Sequence, residues 1–217
     1  MHPVETADGS PTLYSERYGE AYHPREGARA QAERLFVRLA GLSGRSEARV
    51  VEVGFGLGLN FLASLEAVRS EGGLLFFIGL EPEPVAPELL AEALARCRLA
   101  PDAHEPLLAA WERGRDFVVA GEGFVLELRF VRVEHARLPE GWADAVYYDP
   151  FSPRANPAAW SLAGLARAKD GLRPGGVLLS YAVAGWVRRN LEALGFAVER
   201  VPGELGKREW LRARRIS

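Results

Sequence analysis

Val50-Val51-Glu52-Val53-Gly54-Phe55-Gly56-Leu57-Gly58-Leu59-Asn60-Phe61 is the stretch that decides how this chain folds. A short apolar run carries an acid near its end and passes through three glycines at alternate positions. It then enters an apolar-periodic segment running from Phe61 to Val68. This pattern is that of a buried strand turning tightly into a helix, with glycines where positive φ and exposed backbone N–H groups are needed. The spacing Glu-x-Gly-x-Gly-x-Gly is not the dinucleotide fingerprint, in which two residues rather than one separate the second and third glycines.

Working outward, Leu74 to Glu81 reads as a second buried strand ending in an acid. Pro82, Pro84 and Pro87 stop it and open a helix from Glu88 to Cys97. A less regular helical region spans Ala103 to Trp111. Phe124 to Val131 alternates as a strand, and Ala145 to Asp149 is a third buried strand ending in an acid. A proline-rich loop, 150–157, precedes a helix expected from Ala158. Gly175-Gly176 opens a strand from Val177 to Ala182, a helix covers Gly185 to Leu194, and strands follow at Phe196 to Val201 and Glu209 to Arg214. Alternating strands and helices indicate an α/β fold, a mostly parallel central sheet with helices on both faces. Ligands of such sheets bind beyond the carboxyl ends of the strands, so Glu52, Glu81 and Asp149 are expected around one cleft. Glu81 stands 23 residues after Gly58, where an acid at the second strand's tip accepts hydrogen bonds from ribose hydroxyls.

The 217 residues suit a single domain, 1–217, with an ordinary apolar share of 48%. No run approaches the roughly 18 apolar residues of a membrane span, and MHPVETADGSPT lacks the features of a secretory leader. A cytoplasmic protein is the expectation. One cysteine, Cys97, and four scattered histidines offer no paired ligand spacing, so no metal is expected. A net charge of −2 argues against indiscriminate nucleic-acid coating. The C-terminal stretch nevertheless gathers Arg200, Lys207, Arg208, Arg212, Arg214 and Arg215. These form either a phosphate-holding face or a solvated strand and tail.

The glycine motif resembles the first motif of S-adenosylmethionine-dependent methyltransferases of the Rossmann-like class I fold. VGFGLGLNFL (53–62), IGLEPEP (78–84), ADAVYYDPFSPRANPAAW (143–160), AGWVRRNLEALGF (184–196) and GKRE (206–209) together resemble the methyltransferase half of the MnmC family. SPTLYSERYGEAYHPREG (10–27) fits that family's opening segment. The most specific element is Asp149-x-Phe151-x-Pro153-x-x-Asn156-Pro157-x-x-Trp160. Two positions depart from the family pattern. Pro150 stands where glycine is usual, and Arg132 stands where an acid near the adenine is usual, with either Glu134 or a backbone group to take its place.

The resemblance implies S-adenosyl-L-methionine as methyl donor, held by Glu52, Gly54, Phe55, Gly56, Gly58, Asn60, Glu81 and Tyr22. Segment 1–45 would cover the cofactor cleft. Asn60 reads equally as a helix cap. Asp149 is the expected catalytic residue, treated as a solvated carboxylate for which orienting the amine is favoured and removing its proton is the alternative. Phe151 either stacks on the uracil or anchors its loop, and Lys207 and Arg208 are expected to hold the substrate. The implied substrate is tRNA bearing a 5-aminomethyl wobble uridine, methylated on its amine. That substrate would come from upstream tRNA uridine-modifying enzymes. Within these residues there is no room for the family's oxidase half, so no flavin is expected. The alternatives are a small-molecule amine N-methyltransferase and an aminopropyltransferase on the same fold.

Overall fold

The computed structural model describes residues 1–217. Its strands are β1 (His2–Glu5), β2 (Pro11–Ser15), β3 (Glu20–Ala21), β4 (Glu47–Val53), β5 (Leu74–Leu80), β6 (Phe117–Gly121), β7 (Phe124–Arg129), β8 (Ala143–Tyr148), β9 (Leu172–Ser180), β10 (Phe196–Pro202) and β11 (Glu209–Arg215). Eight of them form one sheet in the order β10-β11-β9-β8-β4-β5-β7-β6, while β1 to β3 make a separate antiparallel sheet. Neighbours are parallel from β7 through β5, β4 and β8 to β9. β11 runs antiparallel between β9 and β10, and β6 runs antiparallel to β7. The strand order turns back between β4 and β8, and the carboxyl ends on either side of that switch point frame a ligand crevice.

Both faces of the sheet are buried, which is why β5 reads as an apolar run and β4 becomes almost wholly apolar from Val50 onward, Glu52 excepted. Val50 belongs to the larger core with helices Leu59–Arg69, Pro87–Arg96 and His104–Trp111. Val51 and Val53 belong to the second core, under helices Leu162–Gly171 and Gly185–Ala193. Phe36, Phe61, Phe77 and Tyr147 are fully or almost fully buried on the first face and pack ring against ring.

Three details differ from the sequence expectation. The helix after the proline-rich loop begins at Leu162 rather than Ala158, because Ser161 caps it by accepting a hydrogen bond from Gly164 N–H at 3.2 Å. β9 begins at Leu172, upstream of Gly175-Gly176. β6, a stretch given no element in the sequence reading, pairs with β7 across a two-residue turn in which Gly123 has φ +77°.

Candidate active site

A cleft of about 440 Å³ opens at the carboxyl ends of β4, β5 and β8. Its floor is the glycine turn. Gly54 has φ +87°, and its N–H donates to Leu80 O at 2.9 Å, drawing the turn against the tip of β5. A Cβ on Gly54 would lie 2.8 Å from Asp149 O and 3.0 Å from Pro150 Cα, so glycine alone lets the β4 and β8 loops approach this closely. Gly56 N–H donates to Glu81 Oε2 at 2.9 Å, and Glu83 N–H donates to Glu81 Oε1 at 2.9 Å. Glu81 is 8% exposed and faces the cleft, and burial raises its carboxyl above the ordinary value against those two hydrogen bonds.

Asp149 follows β8 directly. Its N–H donates to Val53 O at 2.9 Å, and its side chain lines the cleft. Burial pushes its carboxyl up to about 8, opposed by a hydrogen bond from Asn60 Nδ2 to Oδ2 at 3.0 Å. The group is therefore a far stronger base than the solvated carboxylate expected from sequence. Trp160 Nε1–H donates to Phe151 O at 2.8 Å and Tyr181 O–H donates to Pro150 O at 2.8 Å, which pins the loop that follows Asp149 from two sides.

The N-terminal segment crosses this cleft. Glu20 accepts from both Ser152 N–H (3.0 Å) and Ser152 O–H (2.6 Å). Tyr18 stacks on Phe151 with ring centroids 4.2 Å apart, and Tyr22 meets the same ring edge-on at 5.0 Å. Phe151 thus has one face occupied by the protein itself. On the opposite bank Tyr18 O–H donates to Glu83 Oε1 at 2.8 Å.

The structure gathers Tyr22, Gly54, Gly56, Glu81, Asp149, Phe151 and Lys207 on the cleft wall, together with Arg132 and Glu134 beyond β7. Four residues assigned to the cofactor lie elsewhere. Glu52 is fully buried inside β4 and points with Val50 towards helix Leu59–Arg69, because successive strand side chains alternate faces. Its Oε1 accepts from Asn60 Nδ2 at 2.6 Å, its Oε2 has no partner, and burial raises its carboxyl well above the usual range. Phe55 turns into the aromatic core against Phe61, Phe77 and Trp111. Gly58 serves as the N-cap of the helix with φ +76°, where a Cβ would meet Phe55 at 3.0 Å. Asn60, 4% exposed, bridges Glu52 and Asp149.

The basic C-terminal stretch is largely spent within the fold. Arg200 pairs with Glu209 and Arg212 with Glu199, while Arg214 and Arg215 donate to backbone carbonyls. Lys207 sits 5.9 Å from the Tyr181 ring at the cleft, and Arg208 is exposed outside it. Sequence reasoning missed Glu20, Tyr181, His23 and Gln31 as residues of the site. A lone polar residue in a two-residue strand (Glu20), in a one-turn helix (Gln31) or just past a strand end (Tyr181) carries no periodic signal that would single it out.

Residues 98–216, more than half of the chain, match a family described as S-adenosyl-L-methionine-dependent methyltransferase. The chain is similar to the tRNA 5-methylaminomethyl-2-thiouridine biosynthesis bifunctional protein MnmC of Cupriavidus necator, at 39% identity over 94% of this chain and 33% of the relative. It is also similar to the protein of that name from Cupriavidus metallidurans, at 37% identity over 98% of this chain and 33% of the relative. The chain thus spans about a third of the length of the curated relatives it matches. Among solved structures it resembles MnmC2 from Aquifex aeolicus, with a TM-score of 0.78 and 30% identity over 98% of this chain and 69% of that one.

Proposed function

Because the chain belongs to the S-adenosyl-L-methionine-dependent methyltransferases, we propose that it methylates the exocyclic amine of 5-aminomethyl(-2-thio)uridine at the tRNA wobble position. The product is 5-methylaminomethyl(-2-thio)uridine. The fold is the Rossmann-like class I fold, and S-adenosyl-L-methionine is the methyl donor of its family. The observation that carries the proposal is Asp149, a basic carboxylate on the cleft wall beside the glycine turn. The similarity to proteins named for this tRNA modification selects the nucleoside. The reading places the enzyme in the cytoplasm, downstream of the enzymes that install the aminomethyl group. Segment 1–45 belongs to the same domain, 1–217, and closes its cleft.

The residues fit the cofactor. Each Glu81 oxygen accepts one backbone N–H and keeps a lone pair for a ribose hydroxyl. Glycine at 54 and 56 leaves backbone surface open to the cleft. A volume of about 440 Å³ falls within the range of small-molecule sites. When bound, S-adenosyl-L-methionine supplies a methyl group on a sulfonium, whose leaving group is a neutral thioether.

Asp149 accepts a hydrogen bond from the substrate amine and turns its lone pair into the cleft. As the amine gains a methyl group it gains positive charge, and Asp149 takes up the proton it then sheds. Lys207 at the cleft and the exposed Arg208 next to it hold RNA phosphate.

Nucleoside mass spectrometry on tRNA incubated with protein and S-adenosyl-L-methionine tests the reading. One methyl group is expected on 5-aminomethyluridine and none on 5-carboxymethylaminomethyluridine. Unmodified aminomethyl tRNA, with methylation of a free amine instead, would replace it with a small-molecule amine methyltransferase.

A further inference from the structure

Gln31 is 5% exposed, its side chain lines the cleft, and its carboxamide has no hydrogen-bond partner in the protein. Its backbone N–H donates to Gly27 O at 3.2 Å. The carboxamide is open to the cleft, with its donors and acceptor free for a polar ligand group. The backbone around it is specialised. Residues Ala32–Val37, immediately following, form a π segment, which changes the helix register just after Gln31.

His23 lines the same wall at 9% exposure. Its Nδ1 lies 3.1 Å from Thr12 Oγ1, and burial lowers it to about 4, so the ring is neutral at physiological pH. Gln31 and His23 together offer donors and acceptors without a net charge. That suits a group carrying both charges, such as an α-amino acid.

The topology says which end of the cofactor lies here. Glu81 and residues 131–134 stand at the tips of β5 and β7, the bank that takes ribose and adenine. Asp149 and Tyr181 stand on the β8 and β9 bank, where the methyl group must meet its acceptor. Of the rest of the lining, Gln31 and His23 are the buried polar residues, whereas Arg25 and Lys207 are exposed and Glu20 is bonded to Ser152. We propose that Gln31, with His23 beside it, binds the amino-acid end of S-adenosylmethionine, with its carboxamide bonding the α-carboxylate and α-ammonium groups. This rests on the cofactor assigned above and is independent of the tRNA substrate.

The test compares two ligands by calorimetry: S-adenosylhomocysteine, which has the amino-acid end, and 5′-methylthioadenosine, which lacks it. In Gln31→Met, close to the original in volume, S-adenosylhomocysteine should bind about tenfold more weakly while methylthioadenosine binds as before. Gln31→Ala should show the same selective loss, with unchanged methylthioadenosine binding reporting an intact fold. Equal losses for both ligands, or no loss for either, overturn the assignment. If the unaltered protein binds neither ligand, the cofactor assignment itself falls.

Discussion

Asn60 donates its side-chain amide to Asp149 Oδ2 at 3.0 Å, and the same nitrogen reaches Glu52 Oε1 at 2.6 Å. One buried amide therefore spans two carboxyl groups of adjacent strands and holds Asp149 towards the cleft. Ser64 O–H in turn donates to Asn60 O at 2.7 Å, which fixes the first turn of the helix beneath this pair.

Turnover should follow the ionisation of Asp149, rising with pH through a midpoint near 8. The Asn60 hydrogen bond favours the carboxylate, so Asn60→Ala should move the midpoint upward. Single-turnover rates against pH for both proteins check this. A midpoint that does not respond to Asn60 would detach it from Asp149.

The same shift has a thermodynamic counterpart. The folded carboxyl titrates near 8 and the unfolded one at its ordinary value near 4, so the folded state binds more protons between these limits. Its contribution to stability is full below about 4 and is lost as pH rises through about 8. Asp149→Asn should therefore flatten the decline of stability across that window, as measured by urea unfolding at a series of pH values.

Glu81→Ala should weaken cofactor binding by about 1.5–3 kcal/mol, the scale of a lost hydrogen bond to a charged group. It also frees Gly56 N–H and Glu83 N–H, so some of the loss will come from a loosened turn. Glu81→Gln, which keeps an acceptor, should lose less. Equal affinity in a folded Glu81→Ala protein would remove Glu81 from the site.

Gly54→Ala should be harmful twice over, through positive φ and through collision with the backbone at Asp149 and Pro150. Backbone strain of this kind costs about 1–3 kcal/mol. At roughly 2–4 °C per kcal/mol for a chain of this size, thermal unfolding should shift by several degrees.

Reversing Lys207 and Arg208 to Glu should weaken tRNA binding and flatten its salt dependence by about 0.7–0.9 logarithmic units for each phosphate no longer neutralised. Arg200→Glu is the control, because that side chain is already engaged by Glu209. An unchanged slope in the double reversal would move the RNA surface away from the β10–β11 turn.

The α/β class, the parallel sheet and the positions of Glu81 and Asp149 were legible in the sequence, because strand runs, glycines and prolines act locally. The limits of that reading are equally physical. Glu52 and Phe55 belong to the motif by spacing, yet strand alternation and a crowded aromatic core turn both away from the cleft. The C-terminal arginines looked free as a row of charges, and only pairing across β10 and β11 reveals their partners. The grip of Glu20 on Ser152 spans 132 residues of sequence, beyond the reach of any periodic signal. Asp149 read as solvated because burial is a property of the assembled cleft.

Tyr18 touches both banks of that cleft, stacking on Phe151 and donating to Glu83. A single side chain thus links the tip of β5, the bank proposed to hold the cofactor's nucleoside, to the loop after Asp149, proposed to face the methyl acceptor. By reciprocity, any ligand whose binding on one bank favours this bridged arrangement must have its own affinity raised, by the same factor, when the other bank is ordered. Cofactor and substrate would then arrive as cooperating partners, and substitution of Tyr18 would appear as lost synergy between them.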